Sequence, residues 1–94
     1  MNHSNPKQES VAEIKQALFS RFKTTDVKLK DISKEVLDLS PRTAAEKAAK
    51  RALPFPTHRL RSRAPWLVTL DDLARAIWSA RREALQEWQS VQTH

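Results

Sequence analysis

Leu53-Pro54-Phe55-Pro56-Thr57-His58-Arg59-Leu60-Arg61-Ser62-Arg63-Ala64-Pro65-Trp66-Leu67-Val68-Thr69 is the stretch on which the reading of this chain turns. Its prolines exclude helix interior, because each removes a backbone donor and disfavours helical geometry in the residue before it. Arg59, Arg61 and Arg63 alternate with His58, Leu60 and Ser62, and Trp66-Leu67-Val68-Thr69 is a second strand-compatible run. The pattern predicts a two-stranded hairpin with its tip near residues 61–65. Alternate side chains of a strand share one face, so the three arginines are expected as a row of positive charge suited to a phosphate backbone or a DNA groove. The chain has no glycine, and a tight primed turn would force another residue to positive φ, so a longer, looser tip is expected.

The charge is concentrated around this stretch. Residues 1–40 carry seven Lys/Arg against six Asp/Glu, and residues 70–94 carry three against four. Residues 41–69 carry seven (Arg42, Lys47, Lys50, Arg51, Arg59, Arg61, Arg63) against Glu46 alone, so the net charge of +6 sits in the middle third. That is the electrostatic footprint of a nucleic-acid binder, the alternative being an ordinary solvated basic face. Ninety-four residues make one small domain, expected over 10–92 after a disordered polar tail at 1–9. The absence of cysteine excludes disulfides and thiolate metal sites. His3, His58 and His94 are spaced too far apart for a metal site, and no cofactor is expected. No apolar run reaches the ~20 residues of a membrane span, and a soluble intracellular protein is expected.

Outward from the basic centre, helices follow from caps and spacing. Ser10-Val11-Ala12-Glu13 is a capping box, and Val11, Ile14, Leu18 and Phe22 form one apolar stripe, predicting a helix over 11–22. Lys23-Thr24-Thr25-Asp26 reads as a turn and residues 27–29 as a short extended piece. Leu29, Ile32 and Val36, flanked by Leu37, predict a helix over 29–37. Ser40 as N-cap with Pro41 at the first helical position starts a third, running to about 51 or 52. Thr69 caps the last helix, with Asp71 and Asp72 over its positive end.

Two short helices around a three- or four-residue turn, the second alanine-rich and cationic, are the arrangement of a helix-turn-helix. An ordinary helical hairpin with an alanine face in the core is the alternative. The expected fold is mainly α with a small β-hairpin, a winged helix-turn-helix.

Leu53-Pro54-Phe55-Pro56-Thr57-His58-Arg59-Leu60, followed by Val68-Thr69-Leu70-Asp71-Asp72-Leu73-Ala74 and Ala80-Arg81-Arg82-Glu83-Ala84, resembles the pyocin activator protein family of prophage transcription activators. The order helix, helix, hairpin, Asp-Leu-Ala helix is more distantly similar to the small winged-helix excisionases of phages. The resemblance covers about 27–84. Such sequences commonly carry a glycine before the Leu-Pro and a polar Ser-Gln-Lys-like wing tip, where this chain has Arg51-Ala52 and Arg61-Ser62-Arg63-Ala64-Pro65.

Resemblance and charge together imply binding of double-stranded DNA, with the third helix in the major groove. Arg42, Thr43, Glu46 and Lys47 are then expected at base edges and Lys50 and Arg51 at phosphates. Arg59, Arg61 and Arg63 belong on the backbone or in the minor groove, and His58 is a strand residue or phosphate donor. Two uses fit: transcription activation with RNA polymerase as partner, and excisionase action, in which tandem copies bend DNA for an integrase. A different class is a phage-encoded interaction module that antagonises a host factor, supported by Trp78, Leu85 and Trp88. Those three are expected to mediate self-association against a neighbouring protomer, its N-terminal helix included; the alternative is that the tryptophans finish the core against Phe19 and Phe22. An enzyme is not expected, since no nucleophile set, carboxylate pair or phosphate loop can be assembled.

Overall fold

The computed structural model describes residues 10–92; the expected tail at 1–9, His3 within it, and His94 lie outside the described residues. Helix α1 (Val11–Phe22) starts on the expected capping box. The Ser10 hydroxyl accepts from the Glu13 N–H at 3.1 Å, and the Glu13 carboxylate accepts from the Ser10 N–H at 2.9 Å. It ends at Lys23, whose φ of 61° lets its N–H donate to the Phe19 carbonyl at 2.8 Å. Strand β1 (Asp26–Lys28) follows, then α2 (Leu29–Ile32), which widens into a π-helical turn over Ser33–Leu37. Ser33 is fully buried there and its hydroxyl donates to the Lys30 carbonyl, a back-bond of the kind that bends helices. The Asp38 N–H is shared between the Lys34 and Ser33 carbonyls, and Asp38 turns the chain at φ 56°.

Helix α3 (Pro41–Ala49) starts as expected on Ser40, whose hydroxyl accepts from the Thr43 N–H at 3.2 Å. It ends two residues before the expected limit. The Ala52 N–H donates to the Lys47 carbonyl at 2.8 Å and the Arg51 N–H to the Ala48 carbonyl at 3.0 Å, with Arg51 at φ 56°. This is a Schellman closure, a motif that usually places glycine in the left-handed position. Arg51 occupies it here, directly before Ala52-Leu53-Pro54.

Strand β2 (Leu67–Thr69) pairs antiparallel with β1 in the register Asp26–Thr69, Val27–Val68, Lys28–Leu67. The partner of β2 is therefore about 40 residues away, and the expected hairpin survives beside this sheet as a single bridge between His58 and Leu67. The prolines at 54, 56 and 65 withhold the donors that a longer ladder would need. Helix α4 (Leu70–Gln92) then starts where Thr69 Oγ1 accepts from the Asp72 N–H at 3.0 Å.

The core lies where these elements meet. Val27, Leu29, Ile32, Val68, Leu70 and Leu73 are buried together with Ala44, Ala48 and Phe55, and Leu18, Phe22, Leu37 and Leu39 pack against them. Each large side chain withdrawn from water contributes about 1.5–3 kcal/mol. The alanines at 44 and 48 let α3 lie close on α2, and α1 packs along α4. The architecture is mainly helical with a small two-stranded antiparallel sheet, the predicted winged helix-turn-helix.

Two surface ion pairs tie α1 to its neighbours. The Arg21 guanidinium hydrogen-bonds the Glu35 carboxylate and holds its carboxyl below the usual carboxylate range. Asp71 is lowered likewise by its 2.9 Å hydrogen bond from Arg75, with Lys15 at 3.9 Å.

Leu73→Ala should cost about 2–5 kcal/mol in urea unfolding, because it opens a cavity at the centre of the core. Lys23→Gly should raise stability by about 1 kcal/mol by relieving the left-handed position, whereas Ala17→Gly on the exposed middle of α1 should lower it by about as much. Since both carboxylates are depressed in the folded state, their contribution is present above the unfolded carboxylate range and lost as pH falls through the folded values. A Glu35→Gln, Asp71→Asn variant should accordingly show a shallower acid dependence of its urea midpoint than the parent.

Candidate nucleic-acid interface

With Ala44 and Ala48 turned into the core, the 3.6-residue period sends Arg42, Glu46, Ala49 and Lys50 to the opposite side of α3. The small Ala49 sits among long polar side chains, leaving the helix backbone open to close approach. Arg42 Nε lies 3.7 Å from Glu46 Oε2, an i,i+4 pair on the exposed face that presents a cation and an anion side by side. Thr43 is half-buried, and its hydroxyl accepts from the Ser40 hydroxyl at 3.0 Å, so it is tied to the helix cap. Lys47 is exposed on the flank, and Arg51 is carried beyond the helix end by its left-handed backbone.

The wing is a loop between His58 and Leu67. Its base is closed by the Leu67 N–H donating to the His58 carbonyl at 2.7 Å and the His58 N–H to the Leu67 carbonyl at 3.0 Å. The His58 ring adds a tie to β1, with Nε2 at 3.1 Å from Asp26 Oδ2. The Trp66 carbonyl accepts from the Leu29 N–H at 2.9 Å, which fixes the second arm of the wing to the start of α2.

The three arginines do not form the expected alternating row. Arg59 folds back so that its guanidinium stands 4.3 Å from the centre of the Trp66 ring, an attractive cation–π contact. The tip is a four-residue turn in which the Ala64 N–H donates to the Arg61 carbonyl at 3.0 Å and Arg63 takes φ 70°. Arg61 and Arg63 are exposed. Leu60, between Arg59 and Arg61, is 84% exposed, the barest large apolar side chain described.

Helix and wing are brought to one surface. A hollow of about 170 Å³ is lined by Leu29 and Lys30 of α2, Ala45 of α3, and Ala64, Pro65 and Trp66 of the wing. Sequence reading missed two features here: the Arg59–Trp66 contact, which depends on the loop doubling back, and the bare Leu60, which the alternating pattern assigned to a strand face. On α4, Trp78 is half-buried with the Arg82 guanidinium 5.1 Å from its ring centre, Leu85 is half-buried and Trp88 is 60% exposed. Trp88 therefore does not finish the core. Among the described residues no cluster of His, Asp or Glu could hold a metal ion, and no helix is long and apolar enough to cross a membrane.

A helix-turn-helix with a basic wing packed beside its second helix defines the class of winged helix-turn-helix proteins. A family model described as pyocin activator protein PrtN matches residues 15–84, well over half of the chain, and the protein belongs to that family of prophage transcription activators. No curated protein and no solved structure matches it significantly.

Trp66→Ala should free Arg59 and loosen the loop. The expected readout is faster proteolytic cutting within residues 59–65, with the circular dichroism of the helices unchanged.

Proposed function

We propose that this protein binds double-stranded DNA sequence-specifically and activates prophage transcription, with α3 in the major groove and the wing against the adjacent backbone and minor groove. The observation that carries the reading is that α3 and the arginine-bearing wing line one hollow, on the chain segment that holds the net positive charge. Arg42 and Glu46 are the base-reading pair. A guanidinium suits guanine O6 and N7, a carboxylate accepts from cytosine N4, and their contact orients both. Lys47, Lys50, Arg51, Arg61 and Arg63 contact phosphates, and Arg59 presents a cation steered by Trp66. Thr43 and His58 act by holding the helix cap and the wing base, and any contact they make is with the backbone. RNA polymerase is the partner that activation requires.

Leu60 gives the wing a second capacity. An apolar side chain held bare between cations is the type of wedge that enters a minor-groove base step and kinks the duplex. Bending of this kind serves activation, and it serves equally the second reading, excisionase action on tandem sites beside an integrase.

Replacing Arg59, Arg61 and Arg63 by alanine should weaken binding to specific and random duplex alike. The log–log salt slope should flatten by ~0.9 for each phosphate that is no longer neutralised; an unchanged slope in a folded variant would take the wing off the DNA. Arg42→Ala should relax preference at one or two base positions, at about 1–3 kcal/mol. Leu60→Ala should reduce the bend measured by fluorescence transfer between duplex ends while leaving the salt slope in place.

A further inference from the structure

The hollow between helix and wing has a lining unlike the cationic surface around it. Leu29, Ala45, Ala64, Pro65 and Trp66 give it apolar walls, Lys30 is the one charged residue that lines it, and among the described residues no carboxylate does. Lys30 is exposed and makes no ion pair among the described residues. The neighbouring cations Lys34 and Arg42 are held by Asp38 at 3.2 Å and by Glu46 at 3.7 Å. The backbone of Lys30 is fixed on both sides: the Leu29 N–H donates to the Trp66 carbonyl at 2.9 Å, and the Ser33 hydroxyl donates to the Lys30 carbonyl at 3.4 Å. An unpaired cation is thus held at the edge of an apolar recess.

Duplex geometry says what crosses that recess. One sugar-phosphate strand divides a major groove from the next minor groove, so a protein with α3 in one and its wing in the other must straddle that strand. The hollow is lined by Ala45 of α3 and by Ala64, Pro65 and Trp66 of the wing, with the start of α2 completing it. We infer that it seats the dividing strand, a deoxyribose against the apolar walls and the adjoining phosphate on the Lys30 ammonium. This rests on the DNA reading above and adds to it a contact residue outside the basic middle third.

Size and chemistry suit that occupant. At about 170 Å³ the hollow is too narrow for a protein helix, ~10 Å across with its side chains. The C–H surface of a sugar matches walls of alanine, proline and tryptophan, and a compact ammonium meets a phosphate as a point charge. Apolar walls lower the local dielectric and strengthen that attraction beyond what the same pair would gain on an open helix face. Trp66 also holds the Arg59 guanidinium 4.3 Å from its ring centre, so the wall that meets the sugar keeps a second cation with it. A contact of this kind fixes register and carries no sequence information.

Anisotropy titration of a fluorescein-labelled duplex of random sequence with the full chain, between ~50 and ~200 mM salt, reads the contact. Lys30→Gln should weaken binding and lower the log–log salt slope by ~0.9, the share of one phosphate, and Lys30→Arg should keep both at the parent's values. Lys15→Gln removes the same charge from α1, where Lys15 lies 3.9 Å from Asp71, and should leave the slope unchanged. Ala45→Leu fills the hollow and should weaken binding about tenfold, the change that ~1.4 kcal/mol makes, with the helical circular dichroism retained. If that variant unfolds, Lys30→Gln at its exposed position keeps the test in force. With Trp78→Phe and Trp88→Phe leaving Trp66 as the one tryptophan of the chain, acrylamide quenching of its fluorescence should fall when duplex is bound. With the parent binding duplex, a full slope in Lys30→Gln, an equal loss of slope in Lys15→Gln, parent-like binding by folded Ala45→Leu, or unchanged quenching of Trp66 would each overturn the inference alone. A parent that does not bind duplex would overturn the DNA reading and the inference with it.

Discussion

The antiparallel pairing of Asp26–Lys28 with Leu67–Thr69 is the constraint on which the rest of this fold depends. It joins segments about 40 residues apart, and everything between them, both helices of the helix-turn-helix and the wing, is one excursion closed by three residue pairs. Val27 and Val68 meet in its centre and are buried with the helices' apolar faces, so the sheet and the core stabilise each other. Short strands of this kind are not stable alone. The ties that surround them extend the joint in both directions: Leu70 N–H to the Thr25 carbonyl, Leu29 N–H to the Trp66 carbonyl, and His58 to both Leu67 and Asp26. The wing thereby acquires a fixed position relative to α2 and α3, although it has almost no strand structure of its own.

A chain without glycine has to make its sharp reversals from residues with side chains. Lys23, Asp38, Arg51 and Arg63 take positive φ at the end of α1, in the turn of the helix-turn-helix, at the end of α3 and at the wing tip. Three of the four carry positive charge. Each left-handed residue costs of order 1–2 kcal/mol, and at Arg51 and Arg63 that cost is borne inside the basic surface itself. The backbone conformation that ends α3 also throws a guanidinium beyond the helix, and the one that closes the wing presents another at its tip. Substitution by glycine at these two points would relax the backbone and remove the cation together, so turn geometry and surface charge cannot be varied separately there.

Helix α4 joins the two sides of the molecule. Its first turns are core, with Asp71 bound to Arg75 and near Lys15 of α1, and its far half is surface with an apolar stripe. The proposed DNA-facing surface and that stripe belong to different parts of the fold, so the side chains of one are not shared with the other.

Much of this was legible in the chain itself. Capping side chains announce themselves locally: Ser10 with Glu13, Ser40 with Pro41, and Thr69 before two aspartates each specify a helix start through hydrogen bonds made within three residues. The apolar spacing of α1 and the confinement of net charge to residues 41–69 are likewise properties of short segments, and the winged helix-turn-helix class follows from their order. What the sequence could not decide by itself depended on contacts between distant residues. Alternation in His58–Leu60–Ser62 predicts a strand, but a strand exists only if a partner offers donors and acceptors, and Val27 with its neighbours took β2 while the prolines left His58 a single bridge. The fate of Arg59 was settled by the return of Trp66 beside it, and that of Trp88 by where the core ended along α4. Local hydrogen bonding is written residue by residue, whereas pairing and burial are competitions among segments, and only the folded chain shows which segment won.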